Sequence, residues 1–345
     1  VRGMELNAAD LLKSFFITTI VGQEDTDLEN RWIEIVSNTD NVIRMIKHFG
    51  WTMFNKKIVA NRNDYYAKLK EYGEKRGGEK LLNSFDEFAQ AYGIVESGEI
   101  EDLINWAEKN ELTDIAKEKK AFSFIRSLKG IRLFRITQSY PLIAAALVNY
   151  KFYPSNTSAN ALLEIVDTLE KYHFINSYIC QRRGNEVETL YAEKCKEIME
   201  SKNKLSENVN SLKNSLKNQL ADFKEFEPKF LDLAYDTSAQ ILKSIYYMFD
   251  RIENVNRKGR EIIEIYNPKL ANVKSDWEVE HILSQKPLKP YTIKNATEVI
   301  NSLGNLLVVP SGTNKAVGNK EAKEKVKIYK PVSYTHLTLP TIYTV

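Results

Sequence analysis

From Asn7 to about Asn254 the apolar positions recur at helical spacing, three and four residues apart. Asn7 and Asp10 stand before Leu11, Leu12, Phe15 and Phe16, the pattern of a capped helix start. Trp32, Ile35, Val36, Val42, Ile43, Ile46 and Phe49 continue the period until Gly50 interrupts it. Further helices are predicted over 65–72, 81–92 and 121–128, and Pro141 followed by Leu142 to Leu147 predicts a buried helix with proline in its tolerated first turn. Leu205, Val209, Leu212, Leu216 and Leu220 form a narrow stripe on a polar helix, expected to pack on a neighbour. The stripe spans fewer than three heptads, too short for a stable coiled coil with a partner chain.

The pattern changes after Arg251-Ile252-Glu253-Asn254. Residues 255–276 hold Arg257-Lys258-Gly259-Arg260, a proline and few periodic apolar positions, and read as a connection into a separate module. Two short β-like runs follow, Trp277 to Leu283 and Leu303 to Val309, each bounded by turn formers. Beyond Pro310-Ser311-Gly312, Asn314 to Tyr329 reads as a lysine-rich helix. A strand, loop, strand, helix unit has little room for its own core, so it must lean on other elements or on a bound ion.

Composition narrows the class. Of 345 residues, 43% are hydrophobic and 28% charged, with 14 Gly and 9 Pro, which describes a globular chain and excludes a disordered or collagen-like one. The most apolar stretch, Tyr140 to Tyr150, is about half the ~20 residues a membrane-spanning helix needs. No secretory signal is legible at Val1-Arg2-Gly3-Met4, and Cys180 and Cys195 cannot build a disulfide framework or a zinc knuckle, so a reducing cytoplasm is expected. The net charge of +3 is unevenly distributed: residues 257–330 carry 14 Lys and Arg against 8 Asp and Glu, and the remainder carries 35 against 38. An acidic body with a basic C-terminal module suits a polyanionic partner.

Four histidines occur: His48, His173, His281 and His336. His48 is expected to cap a helix dipole, and His173, between Tyr172 and Phe174, to pack like an aromatic ring. His281 follows Glu280 at the end of a short run. Phosphodiester hydrolysis needs a base that titrates near neutrality and a hard cation held by oxygen ligands. Adjacent strand residues leave opposite faces unless the strand ends, which Ser284-Gln285-Lys286-Pro287 predicts here. Asn305 on the second run can orient the imidazole, and Asn314 can complete the shell of a metal.

Glu280-His281-Ile282-Leu283-Ser284-Gln285, then Leu303-Gly304-Asn305-Leu306, then Asn314-Lys315 and Asn319-Lys320, resembles an HNH, or ββα-metal, nuclease. The nine-residue interval between Asn305 and Asn314 is similar to that in CRISPR-associated HNH domains. More narrowly, residues 277–330 resemble the C-terminal nuclease domain of GmrSD-type, modification-dependent (type IV) restriction endonucleases, with Ser284 where those usually have proline. The resemblance implies His281 as general base with Asn305 orienting it, Glu280 and Asn314 as ligands of Mg²⁺ or Mn²⁺, and Lys320 as a phosphate contact.

Fainter likeness extends to Arg2-Gly3, Leu6 and Asp10-Leu11-Leu12-Lys13, which resemble the end of that family's nucleotide-binding N-terminal domain. Tyr172-His173-Phe174-Ile175 through Cys180, Arg182, Arg183, Asn185 and Leu190 resembles its helical middle region. The expected organisation is therefore a remnant of a preceding domain at 1–20, a helical region at 21–255 and an HNH-like module at 256–332. Nucleotide binding is expected only in the preceding domain, since no glycine-rich phosphate loop is legible here. Pro331 to Thr341 resembles the translation of a sequencing adapter, so 333–345 are expected to be a non-native tail and His336 is set aside. The resulting expectation is a mainly α-helical protein with a small ββα-metal module, a metal-dependent DNA endonuclease acting in restriction of foreign, modified DNA. DNA is the expected partner, with self-association through the helical region and no membrane. The competing expectation is a non-catalytic helical module that binds DNA or protein.

Overall fold

The structure, a computed structural model, describes residues 7–20, 22, 24–54, 62–256, 263–268 and 276–329. The cluster 257–260 and the segment 330–345, with the expected adapter-like tail, lie outside the described residues. The chain is mainly α-helical and forms two compact units, Val1–Ala221 and Asp222–Val345. Among the described residues no helix is long and apolar enough to cross a membrane.

The first unit is built around the Tyr140–Phe152 helix, in which every residue from Tyr140 to Tyr150 is buried and Pro141 occupies the first turn. A helix apolar on all sides must be surrounded. The Gly78–Ser97, Asn156–His173 and Glu188–Glu200 helices do this. The N-terminal start follows the sequence: Asn7 Oδ1 accepts from the backbone of Ala9 and Asp10, and the Asp10 carboxylate accepts from Asn7 N in a capping box. The Ala8–Thr19 helix buries Leu12, Phe15 and Phe16 within this unit, with Phe16 against Trp32 and Trp32 against Phe85, rather than standing apart. The leucine stripe packs as expected, with Leu205, Val209, Leu212 and Leu216 buried, whereas Leu220 lies beyond the helix end and is exposed.

Two histidines are buried in this unit. His173 behaves as read, edge-on to Tyr172 and Tyr191, its Nε2 and Nδ1 hydrogen-bonded to Tyr191 Oη and Ser177 Oγ at 2.7 and 2.8 Å. A turn of π-helix, Phe174–Ile179, follows it, and Asn176 there clamps Gln219 O and Ala221 N. His48 does not cap a dipole. It is buried with Nδ1 2.9 Å from Tyr92 Oη, and burial together with Lys47 and Arg44 drives its pKa down to about 3, so it carries no charge with which to cap.

The second unit begins earlier than the change of sequence character at 255. The Phe223–Leu231 and Ala239–Asn256 helices belong to it. Tyr246 Oη donates to Trp277 O, the Asp250 carboxylate accepts from Ile265 N, and Ala234 forms a β-bridge with Ser302. Its two strands, β1 (Trp277–His281) and β2 (Leu306–Pro310), pair antiparallel with Glu280 opposite Leu307 and His281 opposite Leu306. Both are shorter than the apolar runs, because Leu303–Asn305 coils into a 3-10 turn before β2. The lysine-rich segment is two helices, Ser311–Val317 and Ala322–Tyr329, broken where Gly318 adopts φ +51°. A two-stranded sheet is marginal alone. Here Leu307, Val309, Val317 and Tyr329 close a small core under it, with Ile282 and Ile328 packed alongside.

Candidate active site at the end of the first strand

Antiparallel partners share a sheet face. Glu278 and Glu280, opposite Val309 and Leu307, therefore point toward the small core and its two helices, and His281 points the other way. Because β1 ends at His281, the two side chains still converge on one cleft of about 250 Å³, lined by Glu280, His281, Ser284, Asn314, Asn319 and Lys325 among others.

His281 is 8% exposed, and its ring lies edge-on to Tyr235 with centroids 4.6 Å apart. Tyr235 is held there by donating its backbone N–H to Asn301 O at 2.7 Å. The imidazole Nε2 is enclosed and has no hydrogen-bond partner among the described residues. Buried polar atoms are almost always paired, so an orphaned ring nitrogen beside a cleft marks a place built for something that bonds it. Burial and the nearby Lys325 ammonium hold the His281 pKa below its ordinary value, which keeps the ring neutral near pH 7.

Glu280 is tied to the last helix. Its Oε1 accepts from Lys325 Nζ at 2.5 Å and from Tyr329 Oη at 3.1 Å. The same ammonium donates to His281 O at 2.6 Å, so one buried cation grips both residues of the Glu-His pair. Burial next to this carboxylate pushes the Tyr329 phenol far above its usual range, so it stays a donor. Asn314 reaches the cleft from the Ser311–Val317 helix, and its Nδ2 donates to Glu278 Oε2 at 2.5 Å. With the amide nitrogen engaged, Oδ1 is the atom left to face a ligand.

Two of the residues singled out in the sequence have other partners here. Asn305 does not touch the imidazole: Oδ1 accepts from Leu283 N at 2.7 Å, and Nδ2 donates to Leu283 O and Ile300 O at 3.0 and 2.7 Å. It sits in the 3-10 turn rather than on the strand, and its side chain substitutes for a missing partner strand where β1 has ended. Lys320 does not line the cleft, because its Nζ turns back onto Ala316 O at 2.6 Å. Two other lysines do, the exposed Lys286 and the buried Lys325. Sequence reasoning missed Lys325, along with Glu278 and Tyr235. The only hint was Lys325 standing four residues before Tyr329, one helical turn away.

Residues 220–341 match the family model for the C-terminal domain of GmrSD restriction endonucleases, a span that contains the cleft and nearly all of the second unit. No curated protein matches the chain. Through residues 220–341 the chain thus carries the C-terminal domain of the GmrSD restriction endonucleases.

Proposed function

We propose that the cleft at the end of β1 hydrolyses phosphodiester bonds of DNA as an HNH-type, metal-dependent endonuclease. The observation that carries this reading is the convergence of a neutral imidazole with an orphaned nitrogen, a carboxylate and an amide oxygen on one small cleft. Neutral His281 would accept a proton from the attacking water, the role a general base of this type performs. Asn305 fixes the chain just beyond the imidazole, and Tyr235 limits the ring's rotation. Lys286, Lys289, Lys294, Lys315, Lys323 and Lys327 are exposed on this unit and suit a phosphate backbone. In restriction, the substrate would be foreign DNA carrying modified bases.

The donor set fits a hard divalent ion. Glu280 Oε2 and Asn314 Oδ1 are oxygen donors on one cleft, suited to Mg²⁺ or Mn²⁺ that keeps several waters. Among the described residues no group of three or more His, Cys, Asp or Glu converges as a structural zinc site would require. When bound, the ion would neutralise charge on the scissile phosphate and on the departing oxygen. Cleavage is expected to cease in excess EDTA and to return with Mg²⁺ or Mn²⁺. Undiminished cleavage in EDTA, or one tightly bound zinc per chain, would contradict the reading.

A further inference from the structure

The Lys325 side chain is 1% exposed, yet it carries an ammonium into the cleft. A buried charge is retained at considerable cost in desolvation, and the apolar core beneath β1 would accept a leucine or methionine at this position. Its two observed partners are Glu280 Oε1 and His281 O, and Tyr329 Oη donates to the same carboxylate oxygen. The first is a ligand in the function proposed above. Among the described residues it is also the only carboxylate lining the cleft, so Lys325 offsets its charge there, while the Glu278 carboxylate lies outside the lining and is engaged by the Asn314 amide. What is left is a neutral imidazole, a neutral amide and a compensated carboxylate. Such a set attracts a divalent cation weakly. A DNA phosphate entering the cleft brings the missing anionic oxygens, and hard cations of this class are commonly held by one or two protein oxygens together with substrate phosphate.

We propose that Lys325 makes ion uptake conditional on substrate: the cleft takes a divalent cation only together with a phosphodiester, because the ammonium offsets Glu280 until the phosphate arrives. The inference rests on the nuclease reading. Lys325 touches Glu280 and the backbone of His281, so it acts as a positioning and charge-compensating residue. The coupling is reciprocal: DNA tightens the ion and the ion tightens DNA by the same factor.

The test measures Mn²⁺ affinity by electron paramagnetic resonance on the whole chain, with and without a short DNA duplex. The chain carries His281→Ala so that the duplex is not cut. The expected result is an affinity at least ~10-fold higher with DNA, within the usual range of coupling between sites. Adding Lys325→Met should raise the affinity without DNA and shrink the gain, and Lys325→Arg should restore it. The DNA comparison needs no substitution at Lys325, so it stands even if Lys325→Met misfolds. Equal Mn²⁺ affinity with and without DNA overturns the proposal while leaving the nuclease reading intact if the unsubstituted chain cuts DNA. Absence of Mn²⁺ binding under both conditions overturns the nuclease reading and the proposal with it.

Discussion

Lowering the pH from 6.5 to 4.5 is expected to remove roughly 5 kcal/mol from the stability of the first unit, at ~1.4 kcal/mol per pH unit for each of two histidines. His48 and His173 both have pKa values of about 3 in the folded chain, driven there first by burial. In the unfolded chain each returns to about 6.5. The unfolded state therefore binds more protons throughout this window, so stability is fully present above pH 6.5 and is lost as the pH falls toward 3. Neither ring can relieve the penalty by turning outward. His173 is wedged between Tyr172 and Tyr191, and His48 between Trp51 and Tyr92. Thermal melts followed by circular dichroism across this range should show a steep fall, and His173→Gln should flatten it. An unchanged Tm between pH 6.5 and 4.5 would show that the rings are not buried neutral.

Replacing Asn305 by Ala is expected to cost the second unit about 3 kcal/mol or more, since it leaves buried backbone groups without partners at ~1 kcal/mol or more each. The side chain makes three hydrogen bonds, all to backbone, at the point where β1 has ended and no strand can serve Leu283. For a domain of this size that loss corresponds to a fall in Tm of roughly 10 °C or more. Calorimetry of the whole chain would check it. A variant that melts like the unsubstituted chain but fails to cleave would restore the orienting role that the motif implies and remove the structural one. Asn305→Asp, which keeps only the acceptor, is expected to fall between.

The helical body was legible because burial imposes a period on the sequence. The run 140–150, apolar but for Asn149, pointed to a surrounded helix, and Leu205, Val209, Leu212 and Leu216 to a face packed on a neighbour. The Glu-His pair and Asn314 were legible as chemistry because few other histidines competed and their spacing followed a known pattern. Periodicity reports how buried a position is and does not identify its partner. Asn305 has one obvious use beside an imidazole, yet the backbone left open at the strand's end claims both ends of its amide. Lys325 looks like Lys323 and Lys327 in a lysine-rich stretch, and only the fold turns it under β1 while the other two face solvent. The break at Gly318 was likewise hidden, since a single glycine in a polar helical pattern is often tolerated. Tyr235 lies far from the motif in sequence, and a β-bridge between Ala234 and Ser302 brings it to His281.

The most direct measurement is the conversion of supercoiled plasmid by the purified chain and by its His281→Ala variant, side by side in Mg²⁺ or Mn²⁺. The unsubstituted chain should nick or linearise the plasmid, and His281→Ala should do so at least ~10²-fold more slowly, the scale of a lost general base, while binding DNA as before. Equal rates for the two proteins would remove His281 as the base. Binding of DNA by the unsubstituted chain with no cleavage in either ion would contradict the nuclease reading and leave a DNA-binding module in its place.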